Sequence, residues 1–362
     1  MKYLYLLTIA LALLTSCADE KKQEKSIDPA KTDWAFYKLK GNVKSVSEKS
    51  FRYLNGMKGG TGNEIASAHD TDLEFNDNGM LVLEKKWNAA VPYEETTFNG
   101  KNIPIKKTQY MAGVPAIITE NLWDASFKEN SSITRRNPDN TQIDRIVQTY
   151  KGGRMTEKLT YNMQNNPIDK IGYRYDKSGN LTGEDLYLGV NIVKVKNKYE
   201  YDSKNRKIAE SSYSEEKLIY KSTYIYSNNN LVKRETIDGK GKVEFIESFV
   251  YDGKGNILTH FTHEEPDNSN SEEQFTYDAN NNVLTWTIIK KDAPTIKVMY
   301  TYDSNNNITA TKTSEITGKV IDDRAYKYEY DATGNWTKKT VRLNGQQAFI
   351  VERAISYFTD TE

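Results

Sequence analysis

Apolar and polar residues alternate in short runs along most of the chain, and Asp, Asn and Gly interrupt the runs at regular intervals. In Lys297 to Ile308, Val298, Tyr300 and Tyr302 fall at period two and share one face of a strand. Asp303 to Asn307 must then turn, because Asn and Asp tolerate left-handed backbone angles and bond their own backbone. Tyr326, Tyr328 and Tyr330 repeat the pattern before Asp331-Ala332-Thr333-Gly334-Asn335. The clearest copies begin at Tyr175-Asp176, Tyr201-Asp202, Tyr251-Asp252, Tyr277-Asp278, Tyr302-Asp303 and Tyr330-Asp331. Gly179, Gly255 and Gly334 stand where other copies carry Asn205, Asn281 or Asn306, and Gly and Asn are the residues that best accept positive φ. A period of about 25 residues marks a repeat architecture of two strands and two turns per unit.

Weaker copies extend the array at Phe75-Asn76, Phe98-Asn99-Gly100, Trp123-Asp124, Tyr150 to Gly153 and Tyr226 to Asn230. Counting from Phe75 predicts about eleven units and roughly 22 strands, about 100 Å across if laid flat. Sheets that wide curl or split. The expected fold is therefore all-β: tandem antiparallel hairpins in an elongated, twisted or spiralling single sheet. Asn256 to Phe261 and Asn282 to Ile289 are apolar on both faces, which predicts strands covered on both sides. Asp28-Pro29 reads as a helix start, and Asp33 to Leu39 as a short cap over the first sheet edge. Gly41 to Tyr53 is the expected opening strand and Ala348 to Phe358 the closing one.

Charge narrows the partners. Lys and Arg number 50 against 50 Asp and Glu, so no basic excess drives phosphate binding, and nucleic acid is not an expected partner. Apolar residues are 37% while Tyr reaches 25, which suits a thin, broad sheet whose rings keep a wet polar tip.

The N-terminus reads as an address. Lys2 precedes an apolar stretch from Tyr3 to Leu14, too short for a stable span and typical of a secretory signal. Leu14-Thr15-Ser16-Cys17 resembles a bacterial lipoprotein box, which implies cleavage before Cys17 and an acylated mature end. Cys17 is the single cysteine, so disulfides and thiolate chemistry are not expected. The expected organisation is a signal peptide over 1–16, a polar tether over 17–32 and a repeat domain over 33–362. Asp19-Glu20 resemble the surface-export signals of Bacteroidetes lipoproteins.

Candidate chemistry is sparse. His260 and His263 lie three apart, so on a strand their rings diverge, and the expected role is a solvated strand end. The Asp/Asn turns offer oxygen ligands for Ca²⁺, but one Asp each, and Asn already accounts for the turn geometry. Glu264-Glu265, Glu272-Glu273 and Asp322-Asp323 alternate faces and make no hydrolase pair. No nucleophile elbow, phosphate loop or dinucleotide fingerprint is present. No enzyme activity, cofactor or metal is expected. Trp87, Trp123, Trp286 and Trp336 are the candidate ligand-stacking aromatics, with cross-strand packing as their alternative role.

The phrase Tyr173-Arg174-Tyr175-Asp176-Lys177-Ser178-Gly179-Asn180-Leu181, repeated from Tyr328 to Trp336, resembles the YD repeat of the Rhs family. Leu39 to Val46 resembles the start of short YD-repeat lipoproteins of Bacteroidetes. The resemblance implies a hairpin coil in the bacterial envelope and sugar binding as a candidate role. In large Rhs and toxin-complex proteins such repeats wind a shell around a toxin. Here Asn often replaces the turn Gly, Arg206 is the single Arg at the second turn position, and the chain stops soon after the last unit, so toxin delivery is not expected. The reading is a non-enzymatic, lipid-anchored outer-membrane repeat protein, periplasmic or surface-exposed, binding a glycan or protein partner. The alternative is a structural spacer or assembly subunit. A transmembrane barrel is disfavoured, because Lys194-Val195-Lys196-Asn197-Lys198 leaves no room for a lipid-facing apolar band.

Overall fold

The computed structural model describes residues 31–54, 56–62, 69–265 and 267–359. The expected signal peptide, Cys17, the tether as far as residue 30, and Asp28-Pro29 lie outside the described residues. Among the described residues, twenty-five strands, β1 to β25 in chain order, form one antiparallel sheet. Strand β1 (Val43–Leu54) pairs with β3 (Asp70–Phe75) through Ser45 to Ser47 on one side. On the other side it pairs with β25 (Gln346–Tyr357), from Val43 opposite Tyr357 to Arg52 opposite Phe349. The first and last strands therefore join. Strand β2 (Met57–Thr61) pairs only with the outer end of β1, which leaves twenty-four strands in a closed ring.

Closure corrects the expected elongated or spiralling sheet. The hairpins follow each other as the repeat predicts, but their ends meet instead of running on. A closed ring leaves no unpaired strand edge, which is a hazard in an open sheet. The ring's perimeter is about 115 Å at 4.8 Å per strand. At the seam, the Ser45 and Ser356 hydroxyls lie 2.6 Å apart, Arg353 Nε donates to Glu48 at 2.8 Å, and Lys58 meets Glu352 at 2.6 Å.

The ring has two rims of different chemistry. Every Tyr-Asp turn lies on one, hereafter the Asp rim, together with both ends of the barrel chain. At Asp252, Oδ1 accepts from the backbone N–H of Lys254 and Asn256, both at 2.8 Å, while Gly255 N–H returns to the Asp252 carbonyl. Gly255 and Gly334 have φ of +89° and +87°, and Asn205, Asn281 and Asn306 lie between +59° and +66°. The predicted Gly/Asn interchange thus marks the left-handed turn position. Asn256 Nδ2 then bonds Asp252 and reaches Asn281 of the next turn at 3.1 Å, so successive turns are laced together. Arg206 does the Asn's work against Asp202 through Nε at 2.7 Å.

The repeated tyrosine has an equally local cause. Its hydroxyl donates to the carbonyl that starts the second strand of the preceding unit: Tyr201 to Leu181, Tyr251 to Leu231, Tyr277 to Ile257 and Tyr302 to Val283, at 2.7–2.9 Å. Trp123 occupies the same slot, its Nε1 donating to the Pro104 carbonyl at 3.0 Å. Replacing Tyr277 with Phe is expected to cost about 1 kcal/mol in chemical unfolding. A cost near zero would show the bond to be idle.

The strands pack against their ladder neighbours and not across the ring. Among the described residues only ten hydrophobic side chains are buried, and five of them (Val43, Val46, Leu73, Phe75 and Leu81) form one cluster near the seam. The ring is therefore a hollow single layer. This corrects the expectation that Asn256 to Phe261 and Asn282 to Ile289 are covered on both sides, since their residues are half-exposed or exposed. Neither face is apolar. The tyrosine face carries Glu184, Glu210, Arg234 and Glu247 at mid-strand, and Lys196 and Lys198 stand on the opposite face.

A short helix, α1 (Asp33–Phe36), sits on the Asp rim. Thr32 Oγ1 caps it by accepting from Ala35 N–H at 3.3 Å. It covers no edge of the ring, because the ring is closed. It docks instead on the turn after β3, where Asp33 and Trp34 N–H both donate to the Gly79 carbonyl. Trp34 Nε1 donates to the Val43 carbonyl at 2.8 Å and packs on the buried cluster. Asn335 then bonds both the N–H and the carbonyl of Lys40, so residues 39–42 stand in for the next turn and complete the circle.

Candidate functional site

One stretch of the tyrosine face concentrates aromatic rings and charge. It runs from β17 (Val243–Tyr251) through β18 (Ile257–Glu264), β19 (Ser269–Tyr277) and β20 (Val283–Lys290) towards the seam. Period-two alternation puts Glu247, Phe249 and Tyr251 on one face, and the antiparallel register sets His260 directly opposite Phe249 and Glu273 opposite His260. The His260 ring stacks on Phe249, with centroids 4.7 Å apart and planes within 1°. Its Nε2 donates to Glu247 at 2.9 Å and its Nδ1 to Glu273 at 3.0 Å. With both nitrogens donating, the ring is an imidazolium. The bonds to Glu247 and Glu273 outweigh desolvation and raise its pKa to about 9.

His260 is therefore a half-buried clamp between three strands, and this corrects the expected solvated strand end. His263 does lie on the other face, opposite Ile246, as the spacing of three predicts. The sequence could have flagged the clamp only through the register, since Glu247 and Glu273 are each thirteen residues away.

The next row begins with Phe275 opposite Trp286, stacked at 6.3 Å and within 3° of parallel. The Trp286 Nε1 is buried and has no hydrogen-bond partner. Farther round, Tyr300 is pushed upward in pKa by burial, and Tyr328 meets Trp336 edge-on at 5.9 Å. The Arg353 guanidinium lies 3.5 Å over the Trp336 ring. Burial lowers the Arg353 pKa, opposed by Glu48.

The four predicted tryptophans do not form one ladder. Trp286 and Trp336 share the tyrosine face. Trp123 fills a tyrosine slot. Trp87, opposite Asp70, lies on the other face, with its Nε1 on Asp72 at 2.7 Å and Lys85 Nζ 4.4 Å over its ring. The repeat positions Tyr175, Asp176, Gly179, Tyr201, Asp202, Tyr251, Asp252, Gly255, Tyr277, Asp278, Tyr302, Asp303, Tyr330, Asp331 and Gly334 all stand at the Asp rim, where the aspartates serve the turns. Bonds from Asn282 and its turn hold Asp278 below the usual carboxylate range. Among the described residues, no three His, Cys, Asp or Glu gather as a metal site.

A concavity of about 530 Å³ opens under α1 between Thr32, Phe36, Tyr37, Leu81, Phe98 and Asn102. Buried Asp33 accepts from Leu81 N–H at 2.6 Å and Asn102 Nδ2 at 2.7 Å, and burial raises its pKa. Burial beside Glu84 and Asp33 pushes Tyr37 up to about 12. These groups fasten the helix to the rim.

No family model matches the chain, and no curated protein matches it. Among solved structures, TcdB2-TccC3 without its hypervariable C-terminal region is similar over 87% of this chain at 13% identity and a TM-score of 0.41. This chain spans only 20% of that one. A porin-like protein from Bacteroides uniformis is similar over 87% of this chain and 96% of its own, at 10% identity and a TM-score of 0.22. A porin-like protein from Bacteroides vulgatus gives 11% identity and a TM-score of 0.20. Such likenesses assign neither family nor function, and the resemblance to YD repeats rests on the sequence phrase alone.

Proposed function

We propose that this chain is a non-enzymatic envelope protein whose tyrosine face binds an extended glycan along the row from Phe249 to Trp336. The observation that supports it is the row itself: Phe249, Phe275, Trp286, Tyr328 and Trp336 on one face of adjoining hairpins, interleaved with Glu247, Glu273 and His260. Aromatic faces stack on the apolar C–H faces of sugars, and carboxylates and imidazolium bond their hydroxyls. Hairpins repeat at about 9.6 Å, two strand spacings, which suits a polymer with a disaccharide repeat.

A large closed barrel is consistent with an outer-membrane location. We read this one as lying beside the bilayer, because mid-strand Lys196 and Lys198 on one face and Glu247 on the other would each be costly in lipid. Binding of the protein to a broad glycan array tests the role. Trp286→Ala and Trp336→Ala are each expected to weaken binding about tenfold. No binding to any glycan would overturn the reading, and turnover of a bound glycan would overturn its non-enzymatic part.

A further inference from the structure

The rim opposite the Asp rim carries a feature that glycan binding does not use. Of its five hairpins between β4 (Leu81–Asn88) and β13 (Ile192–Tyr201), four present bare apolar side chains at or beside their tips, and the fifth, at Asn137 to Thr141, is polar. Val91, Met111, Val114, Met163, Leu188 and Ile192 are 43–72% exposed. On the Asp rim the tips are mostly Asp, Asn, Gly, Ser and Lys; exposed Leu122, Ile225 and Val250 lie on the strands behind them, and exposed Phe36 lies on α1. The remaining tips of the apolar rim are mixed. Asp238 to Lys242 and Lys290 to Asp292 are polar, while Met57, Ile219, Ile316, Val320 and Ile321 are exposed. The apolar tips are thus gathered mainly on one arc.

A second pattern stands just behind that arc. On the face opposite the tyrosines, three aromatic rings near this rim are topped by a lysine, while Tyr110 meets Glu95 and Tyr93 stacks on His69. Lys85 Nζ lies 4.4 Å over Trp87, Lys170 Nζ 4.1 Å over Tyr187, and Lys198 Nζ 4.8 Å over Tyr213. Amphipathic rings and lysines behind an apolar edge are the arrangement that settles at a membrane interface, with apolar groups among the acyl chains, rings at the headgroups and ammonium groups on the phosphates. Met111 pairs with Val114 and Leu188 with Ile192 at their hairpin ends, and Val91 lies beside Gly113 of the neighbouring tip. A fluid surface accommodates such tips, and a rigid protein partner would need matching pits.

We propose that this arc docks on a phospholipid bilayer surface, with its four apolar tips inserted to headgroup depth. The polar tips at Asp238 to Lys242 and Lys290 to Asp292 stay in water, so the barrel leans on the arc instead of standing on its whole rim.

The test uses the full chain with Cys17→Ala, which leaves an introduced cysteine as the only thiol. An environment-sensitive fluorophore is placed at Leu188→Cys, at Met111→Cys or, on the Asp rim, at Lys254→Cys. Vesicles of phosphatidylethanolamine and phosphatidylglycerol carry a lipid-borne quencher. Quenching is expected at positions 188 and 111 and not at 254. Val114→Asp with Leu188→Asp is expected to lower the vesicle partition coefficient about tenfold or more. No binding to vesicles, binding with equal quenching at all three positions, or partition unchanged by the Asp pair would overturn the proposal. So would lipid-independent, concentration-dependent pairing that the Asp substitutions abolish, since the occupant would then be a second copy. No glycan is present in the assay, so failure of the glycan reading leaves this result unaffected.

Discussion

Replacing His260 with Gln is expected to lower stability near pH 6 by about 3 kcal/mol and to flatten the dependence of stability on pH. The His260 side chain is 23% exposed and held between Glu247 and Glu273, with Phe249 stacked on its ring. Its pKa rises from 6.5 to about 9 on folding. A raised pKa means that the folded state binds the proton more tightly. The contribution is therefore fully present below pH 6.5 and is lost as pH rises through about 9. The other charged group facing this cluster is the Arg234 guanidinium, 4.0 Å from Glu247. Glutamine can keep hydrogen bonds to the glutamates but cannot carry the charge. Urea unfolding of parent and variant at both ends of the window measures the difference. Equal pH dependence in the two proteins would show that the clamp contributes nothing to folding.

Gly79→Val is expected to cost about 3–5 kcal/mol and to loosen the seam. Gly79 has φ of +75°, and a Cβ there would lie 2.5 Å from Trp34 Cε3 and 2.6 Å from Cδ2. The backbone penalty alone is about 1–2 kcal/mol. Displacing Trp34 adds the loss of its bond to the Val43 carbonyl and of its packing on the buried cluster. Gly334 makes a useful contrast. Its φ is +87°, but its Cβ would meet only the flexible end of Lys40, with Nζ at 3.2 Å, so Gly334→Val should cost less. Thermal unfolding ranks the two, and hydrogen exchange along Val43 to Ser50 reads the seam directly. If Gly79→Val melts with the parent and exchanges no faster there, α1 does not hold the ring closed.

The turns show what local pattern can convey. Period-two alternation located the strands, and the interchange of Gly with Asn located the left-handed turn position, because both signals depend on residues within a few positions of one another. The weak copies at Phe75, Phe98 and Trp123 fall on the same rim as the clear ones, so even a degraded phrase kept its phase. The tyrosine bond was less legible. A ring beside an Asp suggests a sheet surface, but its acceptor lies about twenty residues back, on a neighbouring strand. The His260 clamp was invisible for the same reason, and the tryptophans, alike in sequence, divide between two faces and two roles once the register is known.

By itself the sequence determined that the chain is a run of antiparallel hairpins and where each one turns. Those properties follow from backbone preferences and alternation, which act over a few residues. Only the tertiary structure decided that the ring closes, that α1 and residues 39–42 stand in for a missing turn, and that apolar tips gather on one rim. Closure depends on Val43 meeting Tyr357 across almost the whole chain. No local preference distinguishes a strand that pairs with its partner at the far end from one that stays an edge. That choice belongs to the accumulated twist and stagger of all the intervening strands.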